Sequence, residues 1–175
     1  MAQGKRVSRS LRGMEKIADV VPGTHFCLLY RDEEERWPFL AEYIRRGLEA
    51  GERVLYIADT SSATIREHLE RAGIDVGEAE RRGQLRFITA EKAYLRGGRF
   101  DPEAMIALLR RETEEALNQG FKGLRVTGEM TWALRGFPGS ERLSDYEARV
   151  NEFFPDSASL AFANTTCVSF LRGFC

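Results

Sequence analysis

Lysine is scarce in this chain of 175 residues, which contains only Lys5, Lys16, Lys92 and Lys122. The common phosphate-binding loop, GxxxxGK[ST], needs a lysine as well as glycines in the turn that follows a buried strand. The turn after the first predicted strand reads YRDEEE at residues 30–35 and contains neither. A phosphate there would meet four carboxylates, so the sequence argues against conventional nucleotide binding and predicts no cofactor.

Cysteine is also rare, since Cys27, Cys167 and Cys175 are the only three and lack metal-ligand spacing. Such a small, odd set is typical of a reduced protein, and we expect a cytoplasmic location. Apolar runs of the roughly 20 residues that span a membrane are missing, and residues 1–10 lack the apolar core of a signal peptide. The net charge of −1 predicts no general attraction to nucleic acid or to anionic membranes.

The composition itself is that of an ordinary globular domain, with 43% hydrophobic and 30% charged residues. A chain of this length buries roughly 70% of the surface that it exposes when unfolded. Residues 1–9 are basic and polar and are predicted to form a loose N-terminal arm. We interpret residues 10–175 as a single domain, because neither a repeat nor a linker interrupts them.

Short apolar segments alternate with amphipathic ones along the chain. The apolar segments predict strands at residues 24–30, 52–60, 84–90, 124–129 and 157–163. The amphipathic segments predict helices at about residues 11–21, 32–50, 61–72, 101–119 and 141–154. This alternation predicts βαβ units and a three-layer α/β fold, in which helices cover both faces of a mainly parallel sheet of about five strands.

One stretch, GLRVTGEMTWALRGF at residues 123–137, begins as a strand and continues into a carboxylate and an indole. Ligands of open α/β sheets bind outside the carboxyl ends of the strands. Glu129 could contact a ligand or act as a general base, or it could only cap the next turn. Trp132 and Met130 could line a pocket or belong to the core. We predict a small, largely apolar ligand beside Trp132, with Glu129 orienting any polar group that it carries.

Three further candidate ligand residues lie in the first two predicted strands. Tyr30 and Asp59 stand near the ends of these strands, and His25 lies near the start of the first one. His25 could be functional or could be a buried, hydrogen-bonded side chain. No second histidine, cysteine or acidic residue stands at a spacing suited to a metal, so we predict no metal site.

A carboxylate also lies on the apolar stripe of the last predicted helix, at Glu147. A carboxylate that faces the core needs a partner. We predict that Glu147 is at least partly buried and pairs with Arg125, either as a structural ion pair or as part of a polar ligand site.

Several segments together resemble the MEDS family, the methanogen/methylotroph sensory domain named around a dichloromethane-responsive regulator. The segments are GTHFCLLYRDEEE (23–35), GLEAGERVLYIADT (47–60), RVTGEMTWAL (125–134) and DYEARVNEFF (145–154). The resemblance implies a fold similar to the RecA/KaiC ATPases with the phosphate loop lost. The positions that match the family pattern are His25, Tyr30, Asp59, Glu129 and Trp132.

The resemblance also implies a sensory module that binds small hydrocarbon-like molecules, alone or joined to helix-turn-helix, histidine-kinase or anti-sigma kinase modules. We therefore expect a non-enzymatic sensory domain that acts in signal transduction or transcription regulation through a partner. Two alternatives stay open. One is a small enzyme that uses Glu129 as general base, although the GxSxG and HExxH motifs are missing. The other is a pure protein-docking module.

The chain departs from this family after residue 156. Similar members end with a strand of the type Cys-x-Tyr-Asp followed by Arg-Phe, whereas this chain reads SLAFANTTCVSFLRGFC at residues 159–175. We hypothesise a reading-frame change near Ser157, because codons for this tail, read one base differently, can spell a Cys-Gln-Tyr-Asp-like segment. An uninterrupted frame in independent clones of the source DNA would contradict this hypothesis.

Overall fold

The structure of the protein, a computed structural model, describes residues 22–166. Three predicted features lie outside the described residues: the N-terminal arm at 1–9, the helix at 11–21 and the end of the atypical tail from Cys167 onward. None of the helices among the described residues has the length and hydrophobicity of a membrane span.

Strands and helices alternate as the sequence predicts. The strands are β1 (His25–Tyr30), β2 (Arg53–Ala58), β3 (Leu85–Thr89), β4 (Leu124–Glu129) and β5 (Ser159–Thr166). The α-helices are α1 (Glu33–Ala50), α2 (Ser62–Arg71), α3 (Val76–Arg81), α4 (Ala90–Ala93), α5 (Pro102–Asn118) and α6 (Leu143–Phe153). Short 3₁₀ turns occupy Arg96–Gly98, Thr131–Arg135, Ser140–Arg142 and Phe154–Asp156.

The five strands form one sheet in the order β1-β5-β4-β2-β3, and every pair is parallel. The predicted parallel sheet is therefore confirmed. Strand β5 lies between β1 and β4, with Ala161 in register with His25 on one side and with Val126 on the other. The first residues of the atypical tail thus form an interior strand of the sheet.

Helices cover both faces of the sheet. Side chains of a strand alternate between the two faces, so each strand contributes to the core on either side. Val54 and Tyr56 of β2 belong to the core beneath α1, α2 and α3, whereas Leu55 and Ile57 belong to the core beneath α4, α5 and α6. All four side chains are fully buried. The arrangement is the three-layer α/β fold that the sequence predicts.

The same alternation explains why the predicted ion pair between Arg125 and Glu147 is wrong. Arg125 faces the α1 side, where its Nε lies 2.5 Å from Oε2 of Glu52 and its guanidinium packs over the Tyr43 ring at 4.7 Å. Glu147 lies on α6, which covers the opposite face. Its side chain is 27% exposed, so the predicted partial burial is confirmed while the partner is not.

Candidate functional site

The turn between β1 and α1 stands where a phosphate loop would be expected, and two of its backbone N–H groups donate to its own side chains. The Arg31 N–H donates to Oε2 of Glu35 at 2.9 Å, and the Glu35 N–H donates to Oδ1 of Asp32 at 3.1 Å. Among the described residues, positive φ angles occur only at glycines. No residue between Gly23 and Gly51 has a positive φ angle. The turn therefore lacks the glycine geometry of an anion-binding nest, and its own carboxylates accept two of its backbone N–H groups.

The tip of β4 carries Glu129, whose side chain is 1% exposed and accepts hydrogen bonds from several donors. Its Oε2 receives the backbone N–H groups of Asp59 and Thr60, each at 2.7 Å. Its Oε1 receives the Tyr56 hydroxyl and an Arg36 N–H, each at 3.0 Å, and the Thr60 hydroxyl lies 3.0 Å from both oxygens. This carboxylate therefore joins β4 to the turn between β2 and α2.

Arg36 extends the same network from β4 to strands β5 and β1. Besides Glu129, its Nη1 donates to Oδ1 of Asn164 at 3.2 Å and to the Tyr30 hydroxyl at 3.4 Å. The Asn164 amide in turn donates to the Gly128 carbonyl at 3.0 Å. Burial raises the pKa of Tyr30 to about 12, so this phenol stays neutral at physiological pH. The carboxyl ends of β1, β4 and β5 are thus held together by one buried guanidinium.

Asp59 contacts the 3₁₀ turn, Thr131–Arg135, that follows β4. Its Oδ2 accepts the Thr131 hydroxyl at 2.6 Å, and its Oδ1 pairs with the Arg135 guanidinium. The Asp59 side chain is 4% exposed. The candidate residues Tyr30, Asp59 and Glu129 are therefore neighbours at one end of the sheet, as predicted, where they form a closed network of internal contacts.

Trp132 lies on the other side of β4, in an aromatic cluster. Its ring is fully buried, stacks on Tyr94 with centroids 5.0 Å apart, and contacts Phe100 at 4.8 Å. Met130 belongs to the same core, and the indole N–H of Trp132 has no hydrogen-bond partner within residues 22–166. The structure thus places Trp132 and Glu129 on opposite faces of the sheet rather than together in one pocket.

A small cavity of about 20 Å³ lies between the sheet and α6, enough for about one water molecule. Its floor is built from the small residues Gly128 of β4 and Ala161 and Ala163 of β5. Two of the predicted ligand residues, His25 and Met130, also line it. We define the α6 cavity by its full lining: His25, Tyr94, Leu109, Val126, Gly128, Met130, Tyr146, Glu147, Ala161, Phe162 and Ala163.

Polar groups converge on the α6 cavity without pairing with one another. Tyr94 and Tyr146 are 5% and 7% exposed, and neither hydroxyl makes a hydrogen bond with any residue in the described part of the chain. The carboxylate of Glu147 has one ion-pair partner there, His25, at 3.8 Å. His25 itself uses Nδ1 to contact Oδ1 of Asn151 at 3.2 Å.

The titration behaviour of these groups follows from their burial. Burial raises the pKa of Glu147 above its ordinary value, and the nearby His25 opposes that rise. Burial, together with the charge of Glu147, raises the pKa of Tyr94. Glu147 is the one carboxylate among the residues that line this cavity.

Sequence reasoning missed several of these residues for identifiable reasons. Tyr94 lies between the strand predicted at residues 84–90 and the helix predicted at residues 101–119, where no helical or strand period indicated that its ring enters the core. Tyr146 was recognisable as a core residue of the last helix but not as a cavity wall. Arg36 could have been found, because it lies four residues before Leu40 and therefore on the apolar stripe of α1.

A sequence profile of the family described as MEDS, the methanogen/methylotroph and DcmR sensory domain, matches residues 24–163. The chain belongs to the MEDS family. Its description as a sensory domain supports a sensory role in general. No curated protein sequence matches this MEDS domain.

The solved structures agree with this assignment at the level of the fold. The MEDS domain is similar to the crystal structure of a KaiC-like protein from the hyperthermophilic archaeon Pyrococcus horikoshii OT3, with a TM-score of 0.61 and 16% sequence identity. The match covers 83% of this chain and 62% of that one, so the MEDS domain spans less than two thirds of its length. The KaiC-like fold implied by the sequence is therefore confirmed.

Proposed function

We propose that this MEDS domain is a non-enzymatic small-molecule sensor whose ligand site is the α6 cavity. The observation that carries the proposal is the pair of small residues, Ala161 and Ala163, that line the cavity beneath α6. Larger side chains at these two positions of the interior strand β5 would fill the space, as the interdigitated cores of proteins normally do. Apolar walls with a few polar groups are the lining expected of a ligand site, and the volume of about 20 Å³ restricts the ligand to very few heavy atoms.

The position of the cavity also suggests how binding reaches the rest of the domain. Gly128 lies on the floor of the cavity, and the next residue, Glu129, joins β4 to the β2–α2 turn and to Arg36. A ligand that displaces β4 or the Tyr94 ring acts one residue away from this network. The signal then leaves through the turns at the carboxyl ends of the strands, where a partner protein can contact them.

The family resemblance supports a small hydrocarbon derivative as the ligand and a signalling protein as the partner. We propose as partner a histidine kinase, an anti-sigma factor or a transcription regulator, rather than nucleic acid or a membrane. The net charge of −1 gives no general attraction to either of the last two. We propose a cytoplasmic location for this role.

The enzyme alternative, with Glu129 as general base, has less support. A general base must come within hydrogen-bond distance of the proton that it removes. Both oxygens of Glu129 already accept protein donors, and its side chain is 1% exposed. A substrate would have to displace these contacts before any proton could move.

A thermal-shift screen of small organic molecules tests the proposal. Ligands of the α6 cavity should raise the melting temperature of the parent but not of Ala163→Leu, in which an isobutyl group replaces the methyl group that lines the cavity. Ala63→Leu, the same change at an exposed position of α2, is the matched control. Hits that stabilise Ala163→Leu equally would place the site elsewhere, and conversion of a hit to a product would support the enzyme alternative. The absence of any hit would favour the docking module.

A further inference from the structure

The lining of the α6 cavity includes polar groups to which an apolar ligand could not form hydrogen bonds. Three groups with acceptor oxygens line it: the carboxylate of Glu147 and the hydroxyls of Tyr94 and Tyr146. Within residues 22–166 none of the three has a hydrogen bond, and the contact of Glu147 with His25 is 3.8 Å long. A hydrocarbon in this space would offer these buried oxygens no hydrogen-bond donor, which is unfavourable.

We infer that the α6 cavity binds a small primary ammonium cation, of the size of methylammonium, with Glu147 as its counter-ion. This inference rests on the proposed function and names the chemical class of its ligand. The Tyr94 and Tyr146 hydroxyls act as the further acceptors.

The number of donors favours an ammonium group over other cations. A primary ammonium has three N–H donors and no acceptor. Glu147, Tyr94 and Tyr146 line the cavity and carry one acceptor group each, so the number of acceptor groups equals the number of donors. A metal ion would instead require several ligands of the hard or imidazole type, and no group of three or more metal-binding side chains occurs among the described residues.

The charge around the cavity also favours a cation. Within the described residues no arginine or lysine pairs with Glu147, although the chain has 26 such residues in total. Arg36 and Arg125 both lie beneath the other face of the sheet, where Glu129 and Glu52 pair with them. The carboxylate of Glu147 is therefore available to a ligand, and a charge-assisted hydrogen bond is stronger than a neutral one.

The apolar walls limit the rest of the ligand. The floor of Gly128, Ala161 and Ala163 and the side chains of Val126 and Met130 offer contacts for carbon but no donor or acceptor from a side chain. The volume of about 20 Å³ leaves room for very few heavy atoms beside the nitrogen. A one-carbon alkyl group fits these limits better than a branched or quaternary one.

Titration calorimetry with methylammonium chloride tests the inference, with sodium chloride and methanol as controls for ionic strength and for a neutral molecule of similar size. We expect saturable binding of methylammonium by the parent, and none of methanol at the same concentration. Glu147→Gln should weaken binding roughly tenfold or more, because a charged partner is lost. Glu152→Gln, the same change at an exposed position of α6, should bind as the parent does.

Tyr146→Phe keeps the ring and removes one acceptor, so it should weaken binding by less than Glu147→Gln while the circular dichroism of the variant stays that of the parent. Equal binding by the parent and Glu147→Gln would overturn the inference, as would equal affinity for methanol. If neutral molecules bind the parent but not Ala163→Leu, and methylammonium binds neither, the ammonium inference fails and the sensory proposal stands. If no molecule of either kind binds, both fail.

Discussion

The hydroxyl of Tyr94 lies 2.1 Å from the position that a β-carbon would take at residue 128. Real β-carbons do not approach other heavy atoms so closely, so only glycine at this position allows Tyr94 to lie where it does. Tyr94 also stacks on Trp132. Because Gly128 has no side chain, the Tyr94 ring can take a position that belongs both to the aromatic cluster and to the lining of the α6 cavity.

Gly128→Ala should displace the Tyr94 ring and lower the free energy of unfolding by about 1–3 kcal/mol, the usual cost of overpacking a core. Urea denaturation measures this change. The double variant Gly128→Ala with Tyr94→Phe removes the oxygen that clashes, so it should recover part of the loss. Equal destabilisation of the single and double variants would show that the close contact does not limit residue 128.

Glu129→Gln should lower the free energy of unfolding by about 3–5 kcal/mol, because Arg36 would keep a buried charge without its partner. The Gln amide would also place its own donors against the N–H groups of Asp59 or Thr60. Glu141→Gln makes the same chemical change at an exposed position and should stay within about 0.5 kcal/mol of the parent. A small effect at Glu129 would mean that the network contributes little to stability.

Sequence alone predicted the strand order along the chain, the parallel sheet and the position of Glu129 at a strand tip. These features follow from local patterns, namely apolar segments, caps and the period of side chains. The alternation of side chains along β4 also predicts that Arg125 and Val126 face opposite layers. What the sequence did not show is which layer each helix covers, and the pairing of Arg125 with Glu147 failed for that reason.

The α6 cavity was harder to predict, because it depends on contacts between distant segments. Gly128 and Tyr94 belong to different elements, and only the packed structure brings the hydroxyl over the glycine. Ala161 and Ala163 become a floor only because β5 is inserted between β1 and β4. His25 and Met130 were recognised as candidates, but the sequence assigned them no common pocket.

Glu52→Gln should be costly, because it leaves the Arg125 guanidinium buried without a counter-charge. We expect a loss of about 3 kcal/mol in the free energy of unfolding. Glu147→Gln leaves no buried cation unpaired and should not show this loss. Chemical denaturation of both variants at neutral pH separates the two cases. A larger loss of unfolding free energy for Glu147→Gln than for Glu52→Gln would indicate that Arg125 pairs with Glu147 rather than with Glu52.

The stability of the domain should depend on pH through Glu147. Burial raises the pKa of this carboxyl in the folded state above its ordinary value of 4.5. The stability that its proton contributes is therefore present at low pH and is lost as the pH rises through the raised pKa. Glu147→Gln cannot lose that proton, so its stability relative to the parent should increase as the pH rises from acid to neutral.

Urea denaturation across this pH range, repeated in a His25→Asn background, measures the difference without a contribution from the histidine that faces Glu147. A difference between Glu147→Gln and the parent that stays constant with pH would show that the Glu147 carboxyl is not perturbed by folding.

The emission of Trp132 tests most directly whether the α6 cavity is the ligand site of this MEDS domain. The chain has two tryptophans, and Trp37→Phe leaves Trp132 as the single reporter, stacked on the Tyr94 ring that lines the cavity. We predict that a molecule that stabilises the domain in a thermal-shift assay shifts or quenches this emission with saturation, and that Ala163→Leu abolishes the change. A stabilising ligand that leaves the Trp132 emission unaltered and binds Ala163→Leu as tightly as the parent would contradict the account.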